Sequence, residues 1–313
     1  MPPAFVHRIT KYDPADRDEH GGYRGAEDTV SDHGPVEAAY LAAISAFAEA
    51  AGIDRLEIRE PSVAGFVHFG ARPAVEGHGL GELFPAGLAA YHDGAEVSLA
   101  VALELIRVML REQGAWCRLE AGDAFTVHVG WDQYVYVGSD RPCTDAVART
   151  RALGLFPEPL TASPYAAEPE VTEVADDVFW ASVRTELAAR QGLLLEETYM
   201  VNATRRHRLT TDNLDAVRAG LGPRALLTVW PDLRPDVGAI LAALPSEWQM
   251  EFVWEARDGT IRDVVVDETE YQELAALLAD ARAARALPLH LDERHPLLHA
   301  ALPDGDGVLR ARW

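Results

Sequence analysis

The stretch from residue 96 to residue 160 constrains this chain more than any other. A helical stripe, a run of short alternating segments and a closing helical pattern follow one another within it. The surrounding fold must therefore combine helices with an antiparallel sheet. Val97, Val101, Leu105, Val108 and Met109 recur at helical spacing while Glu104, Arg111 and Glu112 fall off the stripe, which predicts a helix over 97–113 stopped by Gly114. Residues 116–119, 124–129 and 134–137 read as three strands, joined by Ala121-Gly122-Asp123 and by Gly130-Trp131-Asp132-Gln133. A helix over 145–153, with Gly154 after it, closes the unit.

The same order returns more loosely over 248–291. Two alternating runs flank the turn Arg257-Asp258-Gly259, and a helix is predicted over 270–286 before Pro288. The fold class expected is α+β, in two halves of similar size, each a small, mostly antiparallel sheet packed with helices. The recurrence is compatible with a degenerate internal repeat. Pro157, Pro159, Pro164 and Pro169 fall among Ser, Thr and acids, which suggests a linker there. The expected division is a first domain over 1–160, a proline-rich acidic linker over 161–175 and a second domain over 176–313. Elsewhere, 5–10 reads as a strand, 36–51 as a helix started by Pro35 and stopped by Gly52, and 55–59 as a strand. In the second half, helices are expected over 177–190, 212–219 and 237–244, and strands over 193–200, 225–230 and 308–313.

Charge narrows the partners. Fifty acids against 28 bases leave a formal −22. The first 160 residues hold 24 acids and 13 bases, so each half carries an equal share of the imbalance. A field of that sign repels phosphate backbones at long range and favours cationic partners. With 48% hydrophobic residues the composition is that of an ordinary globular chain. No apolar run reaches the ~18 residues of a membrane span, and no signal pattern opens the chain, so a cytoplasmic protein without membrane attachment is expected. Cys117 and Cys143, the two cysteines, read as buried small hydrophobes. There is no Gly-x-Gly-x-x-Gly before a helix and no glycine-lysine phosphate loop, since Lys11 is the one lysine; no cofactor is expected.

Three groups of residues could carry function. Glu76, His78, His92 and Asp93 flank a glycine-rich region, with His68 upstream. Imidazole and carboxylate together could hold zinc or a non-haem iron, or act as an acid/base pair, although the spacing matches no recognised metal signature. Strand alternation puts His128, Tyr134 and Tyr136 on one sheet face, a platform on which bases could stack as they do on RNA-recognition sheets. Arg205, Arg206, His207 and Arg208 form the one basic cluster, suited to phosphate, carboxylate or an acidic helix, or to internal ion pairs.

Four segments carry a resemblance: His-Arg-Ile-Thr-Lys-Tyr-Asp-Pro-Ala-Asp-Arg-Asp at 7–18, Asp-Thr-Val-Ser-Asp-His-Gly at 28–34, Gly-Trp-Asp-Gln-Tyr at 130–134 and Asp-Glu-Arg-His-Pro-Leu-Leu at 292–298. Through them the chain resembles a family of uncharacterised actinobacterial proteins, some of which carry a generic RNA-binding label. The resemblance implies RNA as a partner and supplies no catalytic residues. Charge and the lack of a catalytic signature favour a different expectation: a non-enzymatic, intracellular, acidic binding or regulatory protein, inhibitor- or immunity-like, that engages a basic protein partner. RNA binding through the sheet face or the 205–208 cluster, and a metal-dependent enzyme built on the loop histidines, are the alternatives.

Overall fold

The computed structural model describes residues 3–20, 22–25, 33–63, 80–84, 90–130, 134–164, 173–243, 249–267, 269–289 and 293–313. Contacts divide the described chain into two compact units, and the chain passes from the first to the second between residues 164 and 173. Both combine helices with antiparallel sheets, giving an α+β fold. Among the described residues no helix is long and apolar enough to cross a membrane.

The first unit runs β1 (Phe5–Thr10), α1 (Pro35–Ala51), β2 (Arg55–Val63), α2 (Leu80–Leu83), β3 (Glu96–Ser98), α3 (Leu99–Leu110), β4 (Ala115–Ala121), β5 (Phe125–Val129), β6 (Val135–Ser139), α4 (Thr144–Ala152) and β7 (Phe156–Leu160). Its strands form one seven-stranded sheet in the order β3-β2-β4-β5-β6-β1-β7. The expected meander is present as β4, β5 and β6, and β1 inserts between β6 and β7. One sheet face is apolar: Leu56, Ile58, Cys117, Leu119, Phe125, Val127 and Val137 are buried, as are Tyr40, Ile44 and Phe47 of α1 and Leu105 and Ile106 of α3. Period-two alternation on the strands and the 3.6-residue stripe on the helices produce this core. Cys117 and Cys143 are buried and free, and burial pushes the Cys117 thiol up to about 12.

Two details depart from the sequence expectation. The stripe that begins at Val97 is not wholly helical, because residues 96–98 pair with β2 and the Ser98 hydroxyl then accepts the Val101 N–H as the helix cap. Of the prolines assigned to a linker, Pro157 and Pro159 instead lie in β7, paired with Ile9 and His7. Proline cannot donate to a ladder, and β7 tolerates two because it is an edge strand.

The second unit runs α5 (Asp177–Arg190), β8 (Leu193–Met200), β9 (Ala203–Leu209), α6 (Leu214–Gly220), β10 (Leu226–Pro231), α7 (Val237–Ala242), β11 (Met250–Glu255), β12 (Ile261–Val266), α8 (Tyr271–Leu277), β13 (Ala283–Pro288) and β14 (Leu298–Ala301). It has two sheets, ordered β14-β10-β8-β9 and β12-β11-β13. Leu193, Leu195, Leu227 and Val229 pack with Phe179, Trp180 and Val183 of α5. Phe252, Trp254, Val264 and Val266 pack with Leu274 and Leu278 in and after α8. The opposite faces of the two sheets meet through Leu194, Trp230, Leu233, Val253, Ala283 and Leu287. The unit is thus layered helix, sheet, sheet, helix.

The helix predicted over 270–286 is a correction. It ends at Leu277, and 283–288 form β13, paired along β11. Alanine favours a helix intrinsically, but an open sheet edge beside β11 outweighs that preference. The basic run at 205–208 lies in strand β9, and 308–313 form no strand.

Candidate functional site

The polar face of the first unit's sheet is where strand alternation predicts a stacking platform. His128 is opposite Tyr136 across the β5–β6 pair, and Tyr136 is opposite Arg8 on β1, so the three share a face. The imidazole lies edge-on to Trp116 at 5.0 Å and to Tyr136 at 6.1 Å. His128 and Tyr136 are both buried, which removes them from any surface a base could reach. Burial, helped by the Arg118 charge, drives the His128 pKa down to about 3. The ring is therefore neutral at physiological pH and can act neither as a proton shuttle there nor as a cation for phosphate.

Tyr134 has a different setting. The guanidinium carbons of Arg8 and Arg17 sit 5.5 and 5.7 Å from its ring centroid, and Tyr12 meets it edge-on at 6.3 Å. Tyr12 in turn contacts Tyr23 at 4.6 Å, with the Lys11 ammonium 5.0 Å from the Tyr12 ring. Glu158 on β7 takes hydrogen bonds from both Arg8 and Arg17 at 3.0 Å. Glu158 is thus shared by two guanidiniums, and cation–π contact holds the arginines over the ring. Of the group, sequence reasoning finds Tyr134 alone. Arg8 and Glu158 become neighbours of Tyr136 and Tyr134 only once β1 is known to pair with both β6 and β7, and alternation within a single strand does not carry that.

The metal hypothesis rests on five residues. His68, Glu76 and His78 lie outside the described residues. His92 is half-buried and donates from Nδ1 to the Asp93 carbonyl at 2.9 Å. Asp93 is buried and holds the backbone in place, since one oxygen accepts the Glu60 N–H at 2.9 Å and the other faces Arg59 at 3.1 Å. Glu60 has φ +51° at the point where the β2–β4 register shifts, so Asp93 pins a bulge whose left-handed residue is not glycine. Among the described residues no group of three or more His, Cys, Asp or Glu could hold a metal ion.

The arginines of β9 divide by strand alternation. Arg206 and Arg208 point into the layer between the two sheets of the second unit. Arg206 is bound by Glu251, by Asp263 at 3.1 Å and by Glu196 at 3.7 Å. Arg294 joins Glu196 at 3.0 Å while lying 5.1 Å from the Trp230 ring centroid. Arg208 grips both oxygens of Asp232 at 2.8 Å and also pairs with Glu255. Burial, opposed by Arg206, holds the Glu251 carboxyl above its ordinary pKa. Arg205 and His207 face the other way. His207 meets the fully buried Glu197 at 2.8 Å, and Arg205 stacks on Tyr199 at 4.6 Å with Glu197 at 3.8 Å. The arginine run is visible in sequence, but its acids come from β8, β11, β12 and the residue that follows β10, so the network is not.

Comparison of the chain with protein-family models, curated proteins and solved structures gave no match.

Proposed function

We propose that this protein is a non-enzymatic acidic binding protein that engages a basic protein surface, in the manner of an inhibitor or immunity partner. The observation that supports the reading is where the arginines go. Among the described residues every arginine except Arg151, Arg234 and Arg285 lies against a carboxylate of the same chain. The described arginines are thus largely paired within the chain, and the charge offered outward is the surplus of a chain at −22. Such a field steers cationic partners toward the surface and speeds their encounter.

Capture of binding partners from a native lysate on the immobilised full chain tests this. Basic proteins should be retained at low salt and released at about 0.5 M salt, where the Debye length falls to a few ångströms. Retention that survives that salt, or retention of nucleic acid in place of protein, overturns it.

RNA is the second reading, favoured by the corner where Lys11, Arg8 and Arg17 surround Tyr12 and Tyr134. Aromatic rings interleaved with cations are what single-stranded nucleic acid needs. A gel shift with total RNA at low salt discriminates it.

A further inference from the structure

Two of the arginines that make no ion pair among the described residues, Arg234 and Arg285, stand beside one another in the second unit. An antiparallel bridge joins Arg234 to Ala284: the Arg234 N–H donates to the Ala284 carbonyl at 2.8 Å, and the Ala284 N–H returns the bond at 2.9 Å. Arg234 is thus across from the residue that precedes Arg285. The Arg285 guanidinium reaches back to the same segment, where Nε and Nη2 both donate to the Asp232 carbonyl at 3.2 and 2.9 Å. A guanidinium carries five N–H groups in a fixed fork. Among the described residues the other N–H groups of Arg285 have no acceptor.

Arg190 completes the group. It ends α5 two residues before Gly192, and Gly192 lies so close to Asp232 that an added Cβ would be 2.2 Å from the carboxylate. The nearby carboxylates are already engaged. Asp232 gives both oxygens to Arg208 at 2.8 Å, Asp236 accepts the Ala239 N–H at 2.9 Å as the cap of α7, and Glu186 takes Arg190 at 2.7 Å. Burial lowers the Arg285 pKa, and the like charges of Arg234 and Arg190 lower it further against the pull of Asp232. Arg190 and Arg234 are exposed and Arg285 is half-buried, so a ligand can reach the group from solvent.

Charge selects the ligand. Arg190 and Arg208 each keep a carboxylate, which leaves the charges of Arg234 and Arg285 without a close counter-ion. A phosphate group carries about −1.5 to −2 at pH 7 and offers three terminal oxygens. Guanidinium forks match that geometry. A single carboxylate supplies only half the charge. The chain's −22 opposes any anion at long range, but physiological salt screens that field over about 8 Å, whereas fork contacts act at about 3 Å.

We propose that Arg234 and Arg285, with Arg190 beside them, bind a phosphate group, either free or esterified on a small molecule. The acceptor-less N–H groups of Arg285 would take one side of the phosphate and the exposed fork of Arg234 another. The inference goes beyond the basic-partner reading and does not depend on it, since it places an anion site on an acidic chain.

The test titrates the full chain at constant ionic strength with inorganic phosphate, phenyl phosphate and acetate, and follows the arginine side-chain Nε–H signals by NMR. Phosphate should bind saturably and shift the signals of Arg234 and Arg285. Arg234→Ala should weaken binding roughly ten- to hundredfold, the share of a hydrogen bond to a charged group. Its side chain is exposed and has no ion pair to lose, so the fold is kept. Arg218→Ala removes the same charge at the far end of α5, where Arg218 pairs with Asp177; a 14-residue helix puts that about 20 Å from Arg190. This variant should bind as the natural chain does. Equal weakening by the two variants would mean a diffuse charge effect and overturns the site. Acetate bound as tightly as phosphate overturns the phosphate class. Titration of the unaltered protein needs no variant, and a lack of saturable shifts at Arg234 and Arg285 overturns the proposal outright. Tighter binding of phenyl phosphate identifies an esterified ligand and tighter binding of inorganic phosphate the free ion; both support the site.

Discussion

The two units bury polar groups differently. On the sheet of the first unit, His128 is buried among Trp116 and Tyr136 and kept neutral, and the charges come as separate pairs, Arg8 with Glu158 partly exposed and Arg59 with Asp93 buried. Between the sheets of the second unit the charges form one buried network: Arg206 binds Glu196, Glu251 and Asp263, and Arg294 shares the first two. A titratable ring buried in its neutral form ties the fold to acid, because the unfolded chain can take a proton that the folded one refuses. A buried ion network is tolerant of pH so long as each charge keeps its partners, and intolerant of losing one.

Removing Arg206 should therefore break the comparison most severely. Arg206→Met leaves Glu196 and Glu251 to share Arg294 and sets Asp263 beside an apolar side chain, and removing one partner from a buried ion network costs about 3–5 kcal/mol. Denaturant unfolding should show a loss of that size, and Arg206→Met combined with Glu251→Leu should recover much of it. A single-variant loss below about 1 kcal/mol would mean that the layer is solvated and that its ion pairs count no more than surface ones. The Glu251 contribution has its own pH sign. Its carboxyl is raised in the folded state, so its stabilising share is complete below its unfolded value of 4.5 and declines as pH rises through the folded one.

His128 should behave in the reverse sense and with a smaller effect. Its folded pKa, about 3, lies below the ordinary 6.5, so its contribution is present above pH 6.5 and is lost as pH falls toward 3. Each pH unit in that window is worth about 1.4 kcal/mol, so near pH 5 the loss attributable to this ring is roughly 2 kcal/mol. Unfolding free energies measured across the window should fall on acidification, and His128→Leu should flatten that limb whatever it does to stability at pH 8. A limb of unchanged slope in the variant would assign acid sensitivity to other groups.

How far the sequence discloses this arrangement depends on the range of the interactions. Elements set by local periodicity are legible: the meander of β4, β5 and β6, the helix Asp177–Arg190 and the hairpin at Arg257-Asp258-Gly259 all appear within a residue or two of expectation. Elements decided by a distant partner are not. The prolines at 157 and 159 join a strand because β1 offers them a ladder, and Ala283–Pro288 leaves the helical pattern because β11 does the same. The candidate site follows the same division. Strand alternation places His128 and Tyr136 on one face, but cannot show that they are buried. The run at 205–208 is evident, yet the acids Glu251, Asp232 and Asp263 that engage it lie 24 or more positions away.

The smallest perturbation separates the two functional readings. Glu158 neutralises Arg8 and Arg17 over the Tyr134 ring in a setting still one-fifth exposed to water, so Glu158→Gln should cost only about 1 kcal/mol of stability. Its electrostatic effect is larger than its structural one, because it releases two guanidiniums beside Tyr12, Tyr23 and the Lys11 ammonium. If the protein serves a basic partner elsewhere on its surface, neither the natural chain nor the variant shifts RNA, and salt-sensitive protein binding is nearly unchanged. If this corner is a nucleic-acid surface, RNA is shifted by the natural chain and shifted more strongly by the variant, with the salt slope steepened by the added phosphate contact. We expect the first outcome, since in the natural chain Glu158 already occupies the position that a phosphate would need.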